Sequence, residues 1–368
     1  MHKLVYDYQA FMQRYGGVSR YIYELATHIS SKSDVFDVKI LALAHVNEYL
    51  KNCSSLNLVV GLSVPALPKG MKIISNLNAE VSKLWLNSQP PDIVHETNYL
   101  FQKLAPKNTR VVTTVHDMIH EKFGQLFSIK DRYSERKNVS VKRADHIICV
   151  SESTKKDLIE IWNVPPKKVT VVYHGYSFNF GKSVQGNIPK ISHPYILYVG
   201  FREGYKNSQN LLQAYASSKL LRNNFRLVFF GGKQFSHEEL DSINALGLPA
   251  DKVLQVSGDD SVLVSFYRNA SVFVYPSLYE GFGMPILEAM SFNCPVACSN
   301  TSSIPEVAGN AAEFFDPYQP ESIAAALEKI VMFRERREEL VSLGLERVKQ
   351  FSWEVCAEKT KSVYLSML

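Results

Sequence analysis

The segment Tyr279–Ala289, YEGFGMPILEA, predicts a turn that leads into a helix and carries ligand-binding groups on both sides. Its two carboxylates, Glu280 and Glu288, flank a Gly-Phe-Gly turn, in which the glycines let the backbone approach a ligand closely. Pro285 suits the first turn of a helix, because its φ is fixed and it lacks an N–H. The free N–H groups at a helix start attract an anion. The segment therefore offers acceptors for hydroxyls and donors for phosphate, and a sugar nucleotide requires both.

A purely structural role is the alternative for each of these features taken alone. A glutamate near a helix start complements the helix dipole, and glycines before a helix often form only a loop. The combination favours a ligand site, because the segment follows a strand-like run, Ser271–Tyr275, as the ligand turn of an α/β sheet does.

Two other turns between a strand and a helix carry groups suited to phosphate. Arg202 and Lys206 follow the strand-like run Tyr195–Val199 and offer a planar guanidinium and a compact ammonium to phosphate oxygens. Gly16 and Gly17 follow the first strand-like run, although a glycine pair alone is a weak signal and does not match the dinucleotide pattern GxGxxG. An exposed loop is the alternative interpretation of each turn.

Taken in order along the chain, these pieces resemble the signature of retaining glycosyltransferases of family 4. The resemblance rests on EGFGMPILEA with the following PVACSNTSSIPEVAGNAAEFFDP, on Gly16-Gly17, on TVHDM with His116 and Asp117, and on VGFREGYKN with Arg202 and Lys206. It covers nearly the whole chain and is specific for the family, but not for a donor sugar or an acceptor. It implies the GT-B fold, in which two doubly wound parallel-sheet domains face each other across a ligand cleft.

The resemblance also implies roles for individual residues. Arg202 and Lys206 would hold the diphosphate, Glu280 would bind the donor sugar hydroxyls, and His116 would contact the donor sugar near its reactive carbon, so these four form the expected catalytic set. Glu288 would bind the ribose. Backbone N–H groups would reach sugar or phosphate from Gly16, Gly17, Phe282, Gly283 and Met284. The base would lie near Val256, Ser257 and Gly258, the acceptor side near His95 and Glu96, and Asp117 would orient a loop or approach the acceptor.

The reaction implied is the transfer of a hexose, with retention, from a donor of the GDP-mannose or UDP-glucose type to a hydroxyl of a glycan or glycolipid in surface polysaccharide biosynthesis. HDMIHEKF and the short chain resemble the mannosyltransferase branch most. No side chain stands out as a nucleophile, so catalysis would rest on positioning and electrostatics, with the leaving phosphate oxygen taking the acceptor proton. The family works without a divalent ion, and we expect neither a metal nor a cofactor.

Other functions stay open. A UDP-sugar 2-epimerase shares the GT-B fold, and a catalytically silent nucleotide-sugar-binding protein would keep the same motifs. The pairs Arg202/Lys206 and Glu280/Glu288 favour the transferase, and the intact motif set counts against a silent protein. A zinc site at His95 is rejected because HETNY is not HExxH, and a glycosidase is rejected because hydrolysis would not use phosphate-binding groups.

Alternating strand-like and helix-like segments predict a parallel sheet with helices on both faces in each half of the chain. Strands are predicted at 3–8, 36–42, 92–95, 110–116, 146–150 and 169–173, and then at 195–199, 225–230, 253–256, 272–275 and 296–298. The stretch 177–193 is rich in Gly, Ser, Asn and Pro and predicts a linker. It would join an acceptor-side domain, 1–176, to a nucleotide-sugar donor domain, 194–350. By resemblance, a C-terminal helix at about 353–368 would cross back onto the first domain.

The composition is that of an ordinary globular protein, with 46% hydrophobic and 21% charged residues. No apolar run approaches the roughly 18 residues that span a bilayer, and the N-terminus lacks the pattern of a signal peptide. We therefore expect a cytoplasmic protein. Its five cysteines are scattered without CxxC spacing and are expected to be reduced.

Positive charge is concentrated in the first half, since residues 1–176 carry a formal net charge of +7 and the remainder −2. Much of it lies between Lys122 and Arg143, where Phe123, Phe127 and Tyr133 are interleaved with basic residues. Such a segment can bind an anionic surface, which would place the protein peripherally on the inner face of the plasma membrane. A solvated helix face is the alternative. No nucleic-acid-binding motif accompanies the charge, so nucleic acid is not an expected partner.

Overall fold

The computed structural model describes residues 1–32, 34–53, 57–65, 71–128, 130–177, 191, 193–202 and 204–368. These residues form two compact units, which we call unit 1 (Met1–Gly175 with Phe351–Leu368) and unit 2 (Tyr176–Gln350). The predicted linker, 177–193, lies outside the described residues except for positions 177, 191 and 193.

The described part of unit 1 contains a seven-stranded parallel sheet. Its strands are β1 (His2–Tyr6), β2 (Phe36–His45), β3 (Val59–Ser63), β4 (Ile93–Glu96), β5 (Arg110–Val115), β6 (His146–Cys149) and β7 (Val169–Val171). They are ordered β3-β2-β1-β4-β5-β6-β7. The helices of this unit are α1 (Gly17–Lys32), α2 (Glu48–Lys51), α3 (Met71–Ser88), α4 (Ile119–Lys122), α5 (Tyr133–Arg143), α6 (Glu152–Trp162) and the C-terminal α15 (Trp353–Leu365).

The described part of unit 2 contains a six-stranded parallel sheet. Its strands are β8 (Tyr195–Val199), β9 (Arg226–Phe230), β10 (Val253–Val256), β11 (Val272–Tyr275), β12 (Val296–Ser299) and β13 (Ala312–Phe315), in the order β10-β9-β8-β11-β12-β13. Its helices are α7 (Ser208–Ser217), α8 (Lys219–Asn224), α9 (His237–Ala245), α10 (Asp260–Asn269), α11 (Met284–Ser291), α12 (Ile304–Ala308), α13 (Pro320–Met332) and α14 (Arg334–Val348).

The predicted α/β fold with two doubly wound parallel sheets is confirmed. Central strands such as β11 and β12 are buried at every position, as expected where helices cover both faces of a parallel sheet. Short apolar runs without alternation therefore indicated these strands correctly. The parallel pairing follows, because helices connect successive strands and return the chain to the same end of the sheet.

The elements that sequence reasoning missed include β3, α3 and β13, and for these three the reasons are identifiable. β3 and β13 lie at sheet edges and are only partly buried, so neither reads as a buried apolar run. On α3, Ile73, Leu77 and Leu84 are 72%, 59% and 70% exposed. Apolar residues therefore occupy the solvent side of α3 as well, which obscures the amphipathic period that identifies a surface helix.

The C-terminal helix α15 belongs to unit 1, where it packs against α1. The hydroxyl of Tyr364 lies 3.0 Å from the hydroxyl of Tyr6 and 2.6 Å from Nδ1 of His95. All three side chains are fully buried, and a buried polar group is costly unless it is hydrogen-bonded. The last helix therefore completes a hydrogen-bond network in the interior of the first sheet.

Candidate active site

Unit 2 places several of its predicted ligand groups where the strand order reverses. The chain proceeds outward from β8 to β9 and β10, and then returns to the other side of β8 to form β11, β12 and β13. In open parallel sheets a ligand crevice lies at the carboxyl ends of the two strands that flank such a reversal. Lys206 follows β8 and Glu280 follows β11, so both stand on the loops that border this crevice.

The ammonium of Lys206 and the carboxylate of Glu280 form an ion pair, with Nζ 2.7 Å from Oε1. Their side chains are 19% and 10% exposed, so the pair is largely shielded from solvent. Lys206 also lies 5.2 and 5.8 Å from the ring centroids of Tyr205 and Tyr275, and aromatic faces attract a cation. Two loops that are distant in sequence thus hold one cation and one anion together.

The backbone around Glu280 is fixed by two serines that sequence reasoning did not single out. The N–H of Glu280 donates to Oγ of Ser302 at 2.9 Å. The hydroxyl of Ser303 donates to the carbonyls of Glu280 and Phe282, both at 2.9 Å. The signal was present in TSSIP, where hydroxyl residues directly precede a helix. These bonds orient the turn before any ligand arrives, as preorganised binding requires.

The turn enters α11 through Gly283, which adopts a left-handed conformation with φ of 113°. A Cβ at this position would lie 3.3 Å from Cδ1 of Ile286, so glycine satisfies both the backbone conformation and the limited space. Met284 and Pro285 form the first turn of the helix. The first N–H groups of a helix have no acceptor within the helix, and they present its positive dipole end to an anion.

Glu288 and the predicted base contacts also lie in unit 2. Glu288, on α11, accepts a hydrogen bond of 3.1 Å from the hydroxyl of Tyr267. Burial, together with the nearby Glu288 carboxylate, raises the pKa of Tyr267 well above its ordinary value, so its phenol stays protonated and donates. The predicted base contacts, Val256–Gly258, lie at the carboxyl end of β10, two strands away from β8. There the side-chain amide of Gln255 donates to Oγ of Ser257 at 2.8 Å.

Arg202, predicted to hold the diphosphate together with Lys206, is turned toward a different partner. Its side chain is 6% exposed, and its Nε and Nη2 lie 2.6 and 3.1 Å from the two carboxylate oxygens of Glu239. Nη2 also donates to the carbonyl of Lys233 at 2.8 Å. A phosphate would reach Arg202 by displacing these acceptors, and the diphosphate contact of Arg202 stays a prediction.

Unit 1 places the glycine pair at the amino end of α1, which begins at Gly17. The hydroxyl of Ser19 and the N–H of Arg20 donate to the carbonyl of Gly16, at 2.9 and 3.0 Å. A Cβ at Gly17 would meet no atom within 4 Å. The strand order of this sheet reverses at β1, which lies between β2 and β4. The glycine pair thus follows the strand at which a ligand crevice is expected.

His116 directly follows β5 and is held by aromatic contacts. Its ring centroid lies 5.6 Å from that of His174, with stacked rings, and 5.3 Å from that of Tyr21, edge to face. Burial lowers the pKa of His116 to about 4, while Asp117 opposes this shift and Lys137 adds to it. Nε2 is buried and has no hydrogen-bond partner in the described part of the chain. A neutral imidazole with one unused nitrogen can serve a sugar hydroxyl, and the donor contact of His116 stays a prediction.

Asp117 orients the loop that follows β5. Its Oδ1 accepts a hydrogen bond of 3.0 Å from the N–H of Ile119, the first residue of α4. Nζ of the buried Lys137 lies 3.7 Å from the same oxygen and donates to the Asp117 carbonyl at 3.0 Å. Of the two roles left open by the sequence, these contacts favour the loop-orienting one.

His95 and Glu96, predicted on the acceptor side, are interior residues of unit 1, and that prediction is wrong. His95 is fully buried, with Nε2 2.9 Å from Oγ1 of Thr114. Glu96 is 1% exposed and accepts hydrogen bonds of 2.8 Å from both Nε and Nη2 of Arg143. The reason is the length of the strand: β4 continues through Glu96, so both residues stand within a central strand and not on the loop after it.

The buried neutral state of His95 predicts a specific response to acid. Burial, with His116 nearby, lowers the pKa of His95 to about 3 from its ordinary 6.5. Because the unfolded chain takes up the proton first, the stability contributed by neutral His95 is present above pH 6.5 and is lost as the pH falls toward 3. We expect the difference in unfolding free energy between wild type and His95→Gln to shrink as the pH falls below 6.5, the ordinary pKa of the imidazole. The decrease should be roughly 1.4 kcal/mol for each pH unit.

Urea unfolding followed by tryptophan fluorescence, from neutral pH down to about pH 5, measures this difference. The signal reports on unit 1, because the three tryptophans, Trp85, Trp162 and Trp353, all lie in that unit. His2→Gln, at an exposed position of unit 1, is the control. A difference that stays constant over this range would contradict a buried neutral imidazole at position 95.

The basic segment Lys122–Arg143 is more neutral than its composition suggests. Five of its seven Lys and Arg side chains form ion pairs: Lys122–Asp157, Arg132–Glu135, Arg136–Asp131, Lys137–Glu121 and Arg143–Glu96. Lys137 is only 1% exposed. Most of this charge is therefore compensated within unit 1, which weakens its attraction to an anionic surface, and contact with a membrane stays a prediction.

Three further properties of the described residues bear on earlier expectations. Their His, Cys, Asp and Glu side chains form no group of three that could hold a metal ion. None of their helices is long and apolar enough to cross a membrane. The cysteines are all free thiols, and burial raises the pKa of Cys149, Cys294, Cys298 and Cys356, so these four stay protonated at neutral pH.

Comparison with known proteins identifies the family. A family model described as Glycosyltransferase Family 4 matches residues 15–179, and one described as Glycosyl transferases group 1 matches residues 184–346. O-antigen chain mannosyltransferase B of Escherichia coli is 32% identical over 289 residues, which cover 74% of this chain and 74% of that protein.

Solved structures show the same fold. WaaG, a glycosyltransferase involved in lipopolysaccharide biosynthesis, superimposes with a TM-score of 0.66 at 18% identity, over 99% of both chains. Anabaena HepE in complex with UDP-glucose superimposes with a TM-score of 0.71 at 16% identity, over 100% of both chains. These likenesses confirm the predicted GT-B fold. The two family models and the sequence similarity to the Escherichia coli mannosyltransferase show that the chain belongs to the family 4 glycosyltransferases.

Proposed function

We propose that the protein transfers a hexose, with retention and without a metal ion, from a nucleoside diphosphate sugar to a hydroxyl of a glycan or glycolipid acceptor in surface polysaccharide biosynthesis. The observation that carries the proposal is the Lys206–Glu280 pair, 2.7 Å apart at the strand-order reversal of unit 2. A sugar diphosphate has an anionic part and a hydroxyl-rich part, and this pair offers one partner to each.

The ammonium of Lys206 and the amino end of α11 would bind the diphosphate. Negative charge grows on the leaving phosphate as the glycosidic bond breaks, and fixed donors aimed at that charge stabilise the transition state more than the ground state. The shielding of Lys206 strengthens this interaction, because Coulomb energies rise as the local dielectric falls. The carboxylate of Glu280 would accept hydrogen bonds from sugar hydroxyls and so position the reactive carbon.

The donor is of the GDP-mannose or UDP-glucose type. The similarity to a protein named O-antigen chain mannosyltransferase B supports mannose, and the fold shared with HepE in complex with UDP-glucose supports glucose. Glu288, with its hydrogen bond from Tyr267, would bind the ribose in either case. Gly16, Gly17 and His116 are proposed as further donor contacts on the basis of the family resemblance.

A panel of nucleoside diphosphates and their sugars tests the proposal in two stages. A ligand that binds the native state raises the melting temperature, and one present at 100 times its Kd stabilises by about 2.7 kcal/mol. We expect GDP or UDP, with the matching sugar nucleotide, to give the largest shift, and EDTA to leave that shift unchanged. Transfer is then measured with that donor and a lipid-linked glycan, and the anomeric configuration of the product is read by NMR.

The possible outcomes separate the proposal from its alternatives. Transfer with a retained anomeric configuration supports the proposal. Binding that is accompanied by neither transfer nor donor hydrolysis indicates a catalytically silent protein. A changed configuration at carbon 2 of the sugar, without transfer, indicates an epimerase. Loss of activity in EDTA that added Mg²⁺ restores would contradict the metal-independent part of the proposal.

A further inference from the structure

The backbone beside His116 is fixed by a hydrogen bond, whereas the orientation of its ring depends on packing. Nζ of the buried Lys137 donates to the carbonyl of Asp117, the next residue, at 3.0 Å. Nε2 of His116 is buried and finds no hydrogen-bond partner among the described residues. The torsion that rotates a histidine ring has a broad energy profile. The rings that pack against this imidazole therefore set its orientation.

His174 and Tyr21 pack their rings against the imidazole of His116. The ring of His174 lies parallel to it, with an interplanar angle of 6° and 5.6 Å between the centroids. Tyr21, on α1, stands nearly perpendicular to both imidazoles, with centroid distances of 5.3 Å to His116 and 4.7 Å to His174. Offset-stacked and edge-to-face pairs are the favoured arrangements of aromatic rings. The three rings therefore restrict one another's rotation.

The segment 172–175, which follows β7 and carries His174, is fixed within unit 1 at both ends. At its start, the N–H of Val172 donates to the carbonyl of Cys149 at 2.9 Å. At its end, a Cβ on Gly175 would lie 2.5 Å from Cα of Trp353, so the chain packs directly against the start of α15. The ring of His174 is thus held against His116 by the fold itself, as preorganised binding requires.

We propose that His174 is a positioning residue, whose ring holds the imidazole of His116 in the orientation that meets the donor sugar. It acts by stacking, and not by exchanging a proton or a hydrogen bond with the substrate. This role rests on the proposed function, in which His116 contacts the donor. It belongs to a histidine that sequence reasoning did not single out.

Replacing His174 with phenylalanine or with alanine separates stacking from other roles. Phenylalanine keeps a flat ring but has no ring nitrogen, whereas alanine removes the ring. Since displacing a catalytic group by about 1 Å can lower the rate about 100-fold, we expect a loss of this size in kcat/KM for His174→Ala. His174→Phe should stay within about threefold of wild type, because its ring can stack in the same place. Equal losses in the two variants would show that a ring nitrogen is required and would overturn the proposal.

His146→Ala is the matched control for these variants. His146 is likewise a half-buried histidine of unit 1, but it lies at the amino end of β6, where its Nε2 is 2.9 Å from Oγ1 of Thr170. Its activity should stay within about twofold of wild type, as for a substitution away from the site. If His174→Ala does not fold, His174→Leu replaces it with the same expected loss, since leucine fills space without providing a flat ring.

The background His116→Ala distinguishes positioning from a general structural defect. If His174 acts through His116, adding His174→Ala to that background should lower kcat/KM by less than about threefold, because the ring to be positioned is absent. A further loss as large as in the wild-type background would assign the effect to the structure of unit 1 as a whole. That result would overturn the proposal.

NMR titration of the side-chain imidazoles gives a readout that does not depend on the reaction. Burial lowers the pKa of His116 to about 4 from its ordinary 6.5. The titratable groups around it are Tyr21, His95, Asp117, Lys137 and His174. Without the ring of His174, water reaches the imidazole, so the pKa of His116 should rise toward 6.5 in His174→Ala and stay low in His174→Phe. A pKa that stays low in both variants would contradict the proposed packing.

A crystal structure of His174→Ala tests the orientation of the ring directly. We expect the imidazole of His116 to leave its nearly perpendicular arrangement with Tyr21, whereas an unchanged ring overturns the proposal whatever the activity. Wild-type protein that transfers no sugar but shows this response in the variant would disprove the proposed function. The positioning of His116 by His174 would then still be established.

Discussion

Replacing Lys206 with alanine should lower kcat for sugar transfer by about 10³-fold while the protein stays folded. Removing one preorganised donor at a developing oxyanion commonly lowers kcat by about 10²–10³-fold. For a shielded ammonium that faces a diphosphate, we expect a loss at the upper end of this range. The expected effect follows from position, because Lys206 is the described cation that meets Glu280 at the strand-order reversal. The measurement is steady-state transfer at saturating donor, with circular dichroism and a melting curve as checks of folding.

Lys233→Ala is the matched control for this variant. Lys233 also follows a strand of the same sheet, and its side chain is exposed, so it tests the general effect of removing a loop cation from unit 2. We expect its kcat to stay within about twofold of wild type, as for a surface substitution away from the site. Equal losses in the two variants would assign the effect to overall charge, and an unchanged kcat in Lys206→Ala would exclude Lys206 from the site.

Glu280→Gln should lower kcat/KM by at least about 100-fold and leave the affinity for the free nucleoside diphosphate nearly unchanged. The amide keeps the size of the side chain but loses the charge that strengthens a hydrogen bond from a sugar hydroxyl. Because Glu280 is assigned to the sugar and Lys206 to the phosphates, the two variants should differ in which part of the donor they cease to recognise. Titration with the diphosphate and with the sugar nucleotide, by calorimetry, separates these contributions.

The control for Glu280→Gln is Glu321→Gln, an exposed glutamate in the first turn of α13. It should behave as wild type in both titrations. A Glu280→Gln protein that loses affinity for the diphosphate as strongly as for the sugar nucleotide would contradict the assigned division of roles. It would show that the carboxylate acts mainly by holding Lys206 in place.

The sequence predicted the fold well where the pattern was local. A strand, a glycine turn and a helix in immediate succession define the segment from β11 to α11, and each step depends on residues that lie next to one another. Parallel sheets followed from short apolar runs that alternate with helices. The end of β4 was the exception. The strand extends one residue beyond the predicted end, so Glu96 lies in the interior, bonded to Arg143, and not on the acceptor side.

Partners distant in sequence could not be predicted in the same way. Nothing near Arg202 in the sequence indicates that Glu239, 37 residues away, will take its guanidinium. The same holds for the bond from Tyr364 to His95, which spans 269 residues. From the sequence, a charged residue after a strand is interpreted as a ligand group. Only the packing of the other helices shows whether an oppositely charged side chain of the protein pairs with it. For the same reason, the sequence could not predict that most cations of Lys122–Arg143 form ion pairs within unit 1.

The central claim is that a nucleoside diphosphate binds in unit 2 with its phosphates on Lys206 and the amino end of α11. A crystal structure of the protein soaked with UDP or GDP tests it directly. We predict a phosphate oxygen within about 3 Å of Nζ of Lys206, hydrogen-bonded to N–H groups at the start of α11. Nucleotide bound elsewhere, or phosphates that make no contact with Lys206, would contradict the claim.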